Sequence, residues 1–370
     1  IQALHEMGLR VSLDVVYNHT SSSGLFDNSV LDKVVPGYYH RRDLTNGNVL
    51  RDTCCEDTAP EHRMMDKLMV DSLALWTQAY KFDAFRFDIM SNNSKDSILN
   101  ARDVVLALDS DNYFYGEGWA RNNNGYIQAN QNNMAGSQVG TFNDRPRNII
   151  RSASLFTLSG SLDDQDIIRL GLAGTLASYS MQDKSGNVKL GRSFSAKPAY
   201  AKDPADVINY VSKHDNETLW DQLQYSLSSD LPIDARVRVQ NIAGTIPLIS
   251  QGIPFFQLGG DLLRSKSMNR NTYDAGDWFN WVDFSKTSNN WNIGLPLAED
   301  NQGQWSTIGS LISNLETKPL MSHIALSSAV FKEFVSIRHS SKLFRLTETQ
   351  DVIDRLGFHN TGASQTQGLI

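Results

Sequence analysis

Short apolar, β-branched runs alternate along the chain with stretches in which apolar residues recur at helical spacing. The runs at residues 9–17 (LRVSLDVVY), 82–88 (FDAFRFD) and 113–117 (YFYGE) predict buried strands. Between them, apolar side chains return every three or four positions, which predicts helices over residues 58–80 and 94–108. Strand and helix alternating at this pace predict parallel βαβ units and hence an α/β fold.

The first predicted helix carries its own start signal. Thr58 and Glu61 have the spacing of a capping box, and Pro60 lies between them in the first turn. Apolar side chains then share one face of the helix: Met65, Met69, Leu73, Trp76 and Tyr80.

The second half of the chain continues the alternation less regularly. Strands are predicted at residues 207–212 and 254–258, helices at 235–249 and 331–339, and the start of a β-rich segment at 352–359. Pro247 should kink or end the helix that contains it. The Asn- and Gly-rich stretch 120–138 and the stretch 152–206 predict long loops, which are candidates for substrate-facing insertions.

Four carboxylates lie at or near the carboxyl ends of predicted strands, inside otherwise apolar or aromatic runs: Asp14, Asp88, Glu117 and Asp215. Charges are rarely buried in such runs without a task. In a barrel of parallel strands these ends converge on one face, so acids far apart in sequence are expected to share a pocket. Neighbouring strands lie about 4.8 Å apart. That spacing suits the roughly 5 to 5.5 Å between the carboxyl groups of a retaining glycosidase.

Arg86 precedes Asp88 by two residues, so a strand places both side chains on the same face. A guanidinium there would keep Asp88 ionised, as a nucleophile must be. Glu117, between Gly116, Gly118 and Trp119, is expected to lie against an apolar wall that favours its protonated form. A purely structural ion pair between Arg86 and Asp88 is the alternative.

Composition excludes several classes of function. The formal net charge is −7 and no stripe of Lys or Arg is present, so we expect no affinity for nucleic acid. No apolar run approaches the roughly 20 residues that span a bilayer, and no membrane span is expected. Only two cysteines occur, and they are adjacent. Cys54 and Cys55 leave two readings open, a vicinal disulfide in an oxidising compartment or two reduced loop thiols.

Histidine and tryptophan positions add weaker signals. His19 and His214 lack the local spacing of a zinc site, so donation to substrate hydroxyls or a structural role is favoured. Trp119, Trp278 and Trp281 are candidates for platforms on which pyranose rings stack, although a lone tryptophan is more often part of a core.

Four ordered segments together resemble the motifs of glycoside hydrolase family 13: residues 14–19 (DVVYNH), 85–88 (FRFD), 116–119 (GEGW) and 211–216 (VSKHDN). Further segments are similar to the pullulanase branch of that family: 35–39 (VPGYY), 53–55 (TCC), 59–65 (APEHRMM), 263–266 (LRSK) and 276–280 (GDWFN). The resemblance covers nearly the whole chain.

The resemblance implies a (β/α)8 barrel of which about strands three to eight are present, followed by the start of a C-terminal all-β domain. On this basis residues 1–342 would form the N-terminally truncated barrel and residues 343–370 the start of the next domain. The chain starts at Ile1 rather than Met, in keeping with the expectation that it is part of a longer protein. An incomplete barrel has open strand edges, so residues 1–370 alone are expected to be poorly soluble and inactive.

The resemblance also implies roles for individual residues. Asp88 would be the nucleophile, Glu117 the acid/base and Asp215 the acid that stabilises the transition state. The remaining candidates would bind substrate or shape its site: Asp14, Asn18, His19, Arg86, Trp119, His214, Asn216, Asp277 and Trp278. Three positions depart from the branch, namely the loop 89–93 (IMSNN), Asp261 in place of the usual Glu, and Trp281. These departures leave branch-point contacts open.

The implied activity is hydrolysis of α-1,6 branch linkages in pullulan, glycogen, amylopectin or limit dextrins, with retention of configuration. An α-1,4-acting amylase or neopullulanase relative, or an inactive carbohydrate-binding member, is the alternative. The chemistry requires no cofactor, and the oxygen-rich loop 27–32 is a candidate for a structural calcium site although it lacks EF-hand spacing. A branched α-glucan is the expected partner. The resemblance and the adjacent cysteines predict a secreted, periplasmic or cell-surface protein.

Overall fold

The computed structural model describes residues 1–121, 125–157, 160–194, 197–273 and 275–370. The chain is an α/β protein that folds into two compact units, Ile1–Phe142 and Asn143–Ile370. The domain boundary predicted near residue 342 stays a prediction.

The first unit is built on parallel strands, as the alternation of elements predicted. Its strands are β1 (Ser12–Val15), β2 (His19–Thr20), β3 (Glu56–Asp57), β4 (Ala84–Phe87), β5 (Tyr113–Gly116) and β6 (Gly140–Phe142). Its helices are α1 (Gln2–Glu6), α2 (Leu31–Val34), α3 (Arg63–Tyr80), α4 (Lys95–Leu108) and α5 (Gln131–Met134). The order β1-β4-β5-β6 forms one parallel sheet, and β2 and β3 pair antiparallel.

The register of the parallel sheet places polar positions side by side. Asp14 of β1 pairs with Arg86 of β4, and Phe87 pairs with Gly116 of β5. Since adjacent strands run in the same direction, the residues that follow Phe87 and Gly116 emerge at the same edge. The register therefore brings Asp88 and Glu117 next to each other.

Helices α3 and α4 pack on this sheet through the predicted apolar face. Met69, Leu73 and Phe85 are fully buried in the same core as Ile98 and Phe114. Burial of five such side chains stabilises the unit by roughly 1.5–3 kcal/mol each.

The start of α3 differs from the prediction, because the helix begins at Arg63 rather than near Thr58. Thr58 donates its hydroxyl to the Tyr17 carbonyl, and Glu61 pairs with Arg41 at 2.8 Å. These tertiary contacts use the groups that a capping box would need.

The second unit has a smaller share of strands. They are β7 (Ser180–Gln182), β8 (Val188–Leu190), β9 (Val207–Asn209) and β10 (Ile253–Pro254). Its helices are α6 (Asp144–Arg151), α7 (Leu162–Leu172), α8 (Leu219–Ser226), α9 (Ile233–Ile249), α10 (Gly276–Asn280), α11 (Ala298–Asn301), α12 (Trp305–Ser313), α13 (Met321–Ser340) and α14 (Thr349–Arg355). Strands β9 and β10 pair parallel, and β7 and β8 form an antiparallel hairpin.

Helix α9 ends at Ile249, as predicted, and contains Pro247; a kink at the proline stays a prediction. One sequence prediction in this unit was wrong. Residues 349–355 form the helix α14, whereas a strand was predicted at 352–359. Val352 is fully buried in a core with Leu170 and Tyr179, and Ile353 and Leu356 pack against the same core, so the apolar residues that suggested a strand bury one side of a short helix.

Residues 315–340, which include helix α13, are long and apolar enough to cross a membrane by length and composition alone, a test that core helices of soluble proteins also pass. Only 22% of this segment's most apolar window is buried. The helix is nevertheless joined to its own unit, since Arg338 donates to the carbonyls of Leu248, Ser250 and Gly252 at 2.8–2.9 Å.

Candidate active site

One buried guanidinium gathers three carboxylates at the edge of the first unit's sheet. The Arg86 side chain is 6% exposed and lies 2.8 Å from Asp14, 3.1 Å from Asp88 and 2.6 Å from Glu117. The predicted same-face relation of Arg86 and Asp88 is present in this contact. Arg86 therefore connects residues from three neighbouring parallel strands.

The backbone hydrogen bonds between parallel strands continue for one residue beyond β4 and β5. The Asp88 N–H donates to the Val15 carbonyl at 3.0 Å, and the Glu117 N–H donates to the Phe87 carbonyl at 3.1 Å. Both acids thus start from fixed main-chain positions, which limits the directions open to their side chains.

Glu117 is 3% exposed, so it is buried as its apolar surroundings in the sequence predicted. Its contacts are polar, however, since one oxygen faces Arg86 and the other accepts the Ile89 N–H at 3.0 Å. Both carboxylate oxygens thus face donors, and the predicted apolar wall stays a prediction.

The glycines on both sides of Glu117 allow this close packing. A Cβ on Gly116 would lie 2.5 Å from the Phe87 carbonyl oxygen, and one on Gly118 would lie 2.6 Å from Thr141 Cγ2. Only glycine fits at such separations without a shift of the neighbour.

Asp88 is more accessible than Glu117, with 22% of its side chain exposed. Its second oxygen accepts a hydrogen bond from Asn18 Nδ2 at 3.2 Å. Ile89, the next residue, has a φ of 34°, in the left-handed region that a β-branched side chain rarely occupies. Such strain is found where surrounding structure fixes a functional backbone turn.

The three carboxylates raise the pKa of Arg86. Burial by itself would lower the pKa, but attraction from Glu117, Asp14 and Asp88 outweighs it. With one cation against three acids, the cluster formally carries two negative charges when all three are ionised. Such a site favours positive charge that develops on a bound molecule.

His19 lies beside the two cysteines. Its Nε2 is 3.5 Å from Cys54 Sγ, and its Nδ1 is 3.0 Å from Asn18 Nδ2. Cys54 and Cys55 form a disulfide, which decides between the two readings of the sequence. His19, Cys54 and Cys55 are the one group in the described ranges whose ligand atoms are close enough for a metal. A disulfide sulfur is not the thiolate that metals bind, so the oxidised group does not suit one.

The predicted calcium loop has its most buried acid already engaged. Asp32 accepts the N–H groups of Gly24 and Gly37 and pairs with Arg42 at 2.9 Å and His40 at 3.3 Å. A calcium ion needs several free carboxylate or carbonyl oxygens, and those of Asp32 face donors instead.

In the second unit, the loop after β9 carries the other predicted catalytic acid. Asp215 pairs with Lys213, which is buried, and lies 3.5 Å from His214 Nε2. Asn216 has a φ of 63° and accepts a hydrogen bond from Arg147 at 2.9 Å. Lys266 Nζ donates to the carbonyls of His214 and Asn216. Residues 213–216 are thus held by cations from two other elements.

Sequence reasoning assigned no role to three of these cations, Lys213, Arg147 and Lys266, although Lys266 lies inside the segment 263–266 that is similar to the pullulanase branch. Lys213 stood inside the segment 211–216, next to an apolar run, and that was the available signal. Arg147 and Lys266 lie far from that segment in sequence, so only the fold reveals their contacts.

The aromatic candidates are accessible. Trp119 is partly exposed in the first unit. In the second unit, Trp278 is 66% and Trp281 61% exposed, and with Asp277 they line an open hollow of about 530 Å³. Exposed indoles beside a polar residue suit an apolar sugar face.

The structure therefore collects the predicted residues in two groups. Asp14, Asn18, Arg86, Asp88 and Glu117 share hydrogen bonds or ion pairs in the first unit. His214, Asp215 and Asn216 lie together in the second unit. The convergence of Asp215 on Asp88 and Glu117 stays a prediction.

Known proteins resemble this chain over its whole length. Pullulanase of Klebsiella aerogenes is 42% identical over 100% of the chain, and the chain spans 37% of that protein. Pullulanase 1, chloroplastic, of Arabidopsis thaliana is 40% identical over 100% of the chain, which spans 43% of it. The chain thus covers about two fifths of these relatives.

Comparisons of structure and of family models agree. The crystal structure of Klebsiella pneumoniae pullulanase complexed with maltotriose matches 100% of this chain with a TM-score of 0.93 and 41% identity, over 38% of that molecule. The model of α-1,6-glucosidases, pullulanase-type, C-terminal, matches residues 286–370. These similarities extend over both units and match the chain to one part of pullulanase-type proteins.

Proposed function

We propose that this chain carries the catalytic centre of a retaining glycoside hydrolase that cleaves α-1,6 branch linkages in pullulan, glycogen, amylopectin or limit dextrins. The observation that carries the proposal is the contact of Arg86 with Asp14, Asp88 and Glu117 at the ends of adjacent parallel strands. Similarity to pullulanases over the whole chain supports the same substrate class.

The proposed reaction has two displacements. Glu117 gives a proton to the glycosidic oxygen while an Asp88 oxygen attacks the anomeric carbon, so the bond to the leaving chain breaks and a glycosyl ester forms. Glu117 then takes a proton from water, whose oxygen attacks the same carbon and releases Asp88. Two inversions at one carbon give net retention.

Asp215 is assigned the stabilisation of the oxocarbenium-like transition state, following the resemblance of residues 211–216 to the family motif. Arg86 fixes Asp88 and Glu117 in place, because its guanidinium donates a hydrogen bond to Asp88 and forms an ion pair with Glu117. The excess of carboxylates over cations at the site supports stabilisation of the positive charge on the sugar. No cofactor takes part in these steps.

Substrate binding is assigned to polar side chains, which would form hydrogen bonds with sugar hydroxyls, and to aromatic side chains, on which sugar rings would stack. In the first unit these are Asp14, Asn18, His19 and Trp119. In the second unit they are His214, Asn216, Asp277 and Trp278. The exposure of Trp278 and the partial exposure of Trp119 support ring stacking.

The proposed architecture is a (β/α)8 barrel of which this chain supplies strands three to eight. The six strands β1, β4, β5, β6, β9 and β10, in parallel pairs and in chain order, support that assignment. The sequence predicted a C-terminal all-β domain from residue 343. Because residues 349–355 are helical, the proposal places the start of that domain after α14.

Digestion of pullulan by the full-length protein tests the function. Hydrolysis of α-1,6 bonds releases maltotriose, whereas α-1,4 cleavage gives oligosaccharides that keep an α-1,6 bond and would overturn the linkage assignment. The variant D88N should lose turnover while it still binds maltotriose, since the amide keeps the shape but cannot attack carbon. D71N, which changes an exposed carboxylate of α3, is the matched control. Binding without turnover in the unaltered protein would instead favour an inactive carbohydrate-binding member.

Export to the periplasm, cell surface or medium is a separate proposal. The Cys54–Cys55 disulfide supports an oxidising compartment. Fractionation of the native cells with an antibody against the protein tests it, and recovery in the cytosolic fraction would contradict it.

A further inference from the structure

Three arginines line one polar pocket in the second unit. The pocket encloses about 380 Å³ and is lined by Arg147, Arg151 and Arg270, together with Asn216, Glu217 and Asp300. Arg147 and Arg151 are four residues apart on α6, so they share one face of that helix. The pocket therefore receives guanidinium groups from α6 and from the loop that contains Arg270.

The positive charge in this pocket is only partly neutralised. Arg151 lies 3.6 Å from the Glu217 carboxylate, and its other bonds go to carbonyl and amide oxygens. Arg147 donates to the amide oxygens of Asn148 and Asn216 and lies over the Tyr210 ring. In the described part of the chain, neither Arg147 nor Arg270 has a carboxylate within ion-pair distance. Three cations thus line the pocket with two carboxylates, Glu217 and Asp300, and of these two Glu217 forms the ion pair with Arg151.

Two further observations indicate that Arg147 and Arg151 are not fully compensated by negative charge. The Arg147 Nε is buried and has no hydrogen-bond partner. The pKa of Arg151 falls to about 10, first because burial removes its hydration and second because Arg147 repels it, with Glu217 offsetting only part of the effect. An anion in the pocket would attract the charged form of Arg151 and so raise its pKa again.

We propose that this pocket binds the phosphate group of a phosphorylated sugar. Guanidinium groups offer donors only, in a planar fork that matches phosphate oxygens, whereas a neutral sugar hydroxyl needs donors and acceptors. The volume is within the range of small-molecule pockets. The phosphate could be an ester on a glucan chain or belong to a free sugar phosphate, because both present the same dianionic group.

The pocket adjoins the loop that bears Asp215. Arg147 holds Asn216 through a hydrogen bond of 2.9 Å, so a bound phosphate would contact the cation that positions this loop. The inference goes beyond the proposed function, and binding at the pocket does not depend on the catalytic roles of Asp88 or Glu117.

Calorimetric titration of the full-length protein tests the site, with glucose 6-phosphate, phosphorylated maltodextrin, inorganic phosphate and plain glucose as probes. We expect a phosphorylated probe to bind at least tenfold more tightly than glucose, and R270Q to weaken that binding at least tenfold. R270K, which keeps the charge but loses the fork, should fall between. R238Q removes an exposed arginine of α9 outside the pocket and should leave binding unchanged.

The comparison of probes assigns the source of the phosphate. Tighter binding of phosphorylated maltodextrin assigns a glucan ester, and tighter binding of glucose 6-phosphate assigns a free sugar phosphate; both support the site. Inorganic phosphate that binds more tightly than either overturns the assignment to a phosphorylated sugar. Equal affinity for glucose and glucose 6-phosphate, or an unchanged affinity in R270Q, overturns the proposed site. Because Arg270 is exposed and the readout is binding, neither misfolding nor lack of hydrolysis is expected to obscure the result.

Discussion

Arg86 shows how one side chain can organise a site made of opposed charges. Without its guanidinium, Asp14, Asp88 and Glu117 would repel one another across the ends of their strands, and Glu117 would be a buried acid without its cation. Removing one partner of a buried ion pair typically costs about 3–5 kcal/mol. The role of Arg86 is therefore to position the acids rather than to react.

We predict that R86Q lowers kcat/KM for pullulan by roughly 100-fold or more, because the two candidate catalytic acids lose their common partner. R86K retains the charge without the fork and should lose less. Steady-state kinetics measure the effect, and circular dichroism checks that the variant is folded. R63Q, at an exposed position of α3, is the control. Normal kinetics in R86Q would remove Arg86 from the mechanism.

Asp221 provides a pH-dependent contribution to stability. It is fully buried, and burial raises its pKa to about 6 although Ser265 and the N–H groups of Lys266 and Met268 donate to it. A raised carboxyl pKa means that the folded state holds the proton more tightly than the unfolded state. Its contribution is therefore present below pH 3.8 and is lost as the pH rises to about 6.

The predicted loss is on the order of 2–3 kcal/mol between pH 4 and pH 6. D221N has no proton to lose, so its stability relative to the unaltered protein should improve by that amount over the same window. Urea unfolding, followed by the fluorescence of the buried neighbour Trp220, measures the difference at each pH. A difference that does not change with pH would contradict the raised pKa.

Strand β5 illustrates a constraint that acts on a whole element. The segment that follows it can bring Glu117 toward Arg86 only because Gly116 packs directly on the Phe87 carbonyl of β4. A side chain at this position would push two paired strands apart, and the pairing fixes both catalytic candidates.

We predict that G116A destabilises the protein by about 1–3 kcal/mol and also lowers activity, because the new Cβ would meet a backbone oxygen at 2.5 Å. Backbone atoms cannot rotate away as a flexible side chain can. G303A is the matched control, since a Cβ there meets nothing within 4 Å. Thermal unfolding and pullulan hydrolysis give the two readouts, and equal melting temperatures for both variants would refute the prediction.

Elements with a strong local pattern were predictable from sequence. The strands β1, β4 and β5 lie inside the predicted runs, and α4 begins after Ser94, whose side chain caps it. Residues 352–359 were not predictable, because a short apolar run fits a strand or a helix until its neighbours are known. The failed capping box at Thr58 and Glu61 has the same origin, since their partners Tyr17 and Arg41 are distant in sequence.

At the scale of the whole molecule, alternation of strands and helices was enough to predict parallel pairing, and strand ends were enough to nominate Asp14, Asp88 and Glu117. The sequence could not show the register that places Asp14 opposite Arg86, 72 residues away. It also could not reveal the pocket of Arg147, Arg151 and Arg270, because the three arginines meet only in the folded chain. Among the described residues, their positive charge is only partly neutralised by carboxylates.

Net charge matters little for the proposed substrate. The chain carries a formal charge of −7, but a neutral glucan is neither attracted nor repelled by the electrostatic field of that charge. The ion pairs of Arg86 are buried, so salt should screen them weakly. We therefore expect kcat/KM for pullulan to change less than about twofold between 50 and 500 mM sodium chloride.

Binding of glucose 6-phosphate to the arginine pocket should weaken over the same range, because a charged ligand and the exposed Arg270 are both screened. Measuring both quantities on one preparation separates the two sites, since salt-induced unfolding would reduce them together. A steep fall in pullulan hydrolysis with intact phosphate binding would mean that exposed charges, rather than the buried Arg86 cluster, control the reaction.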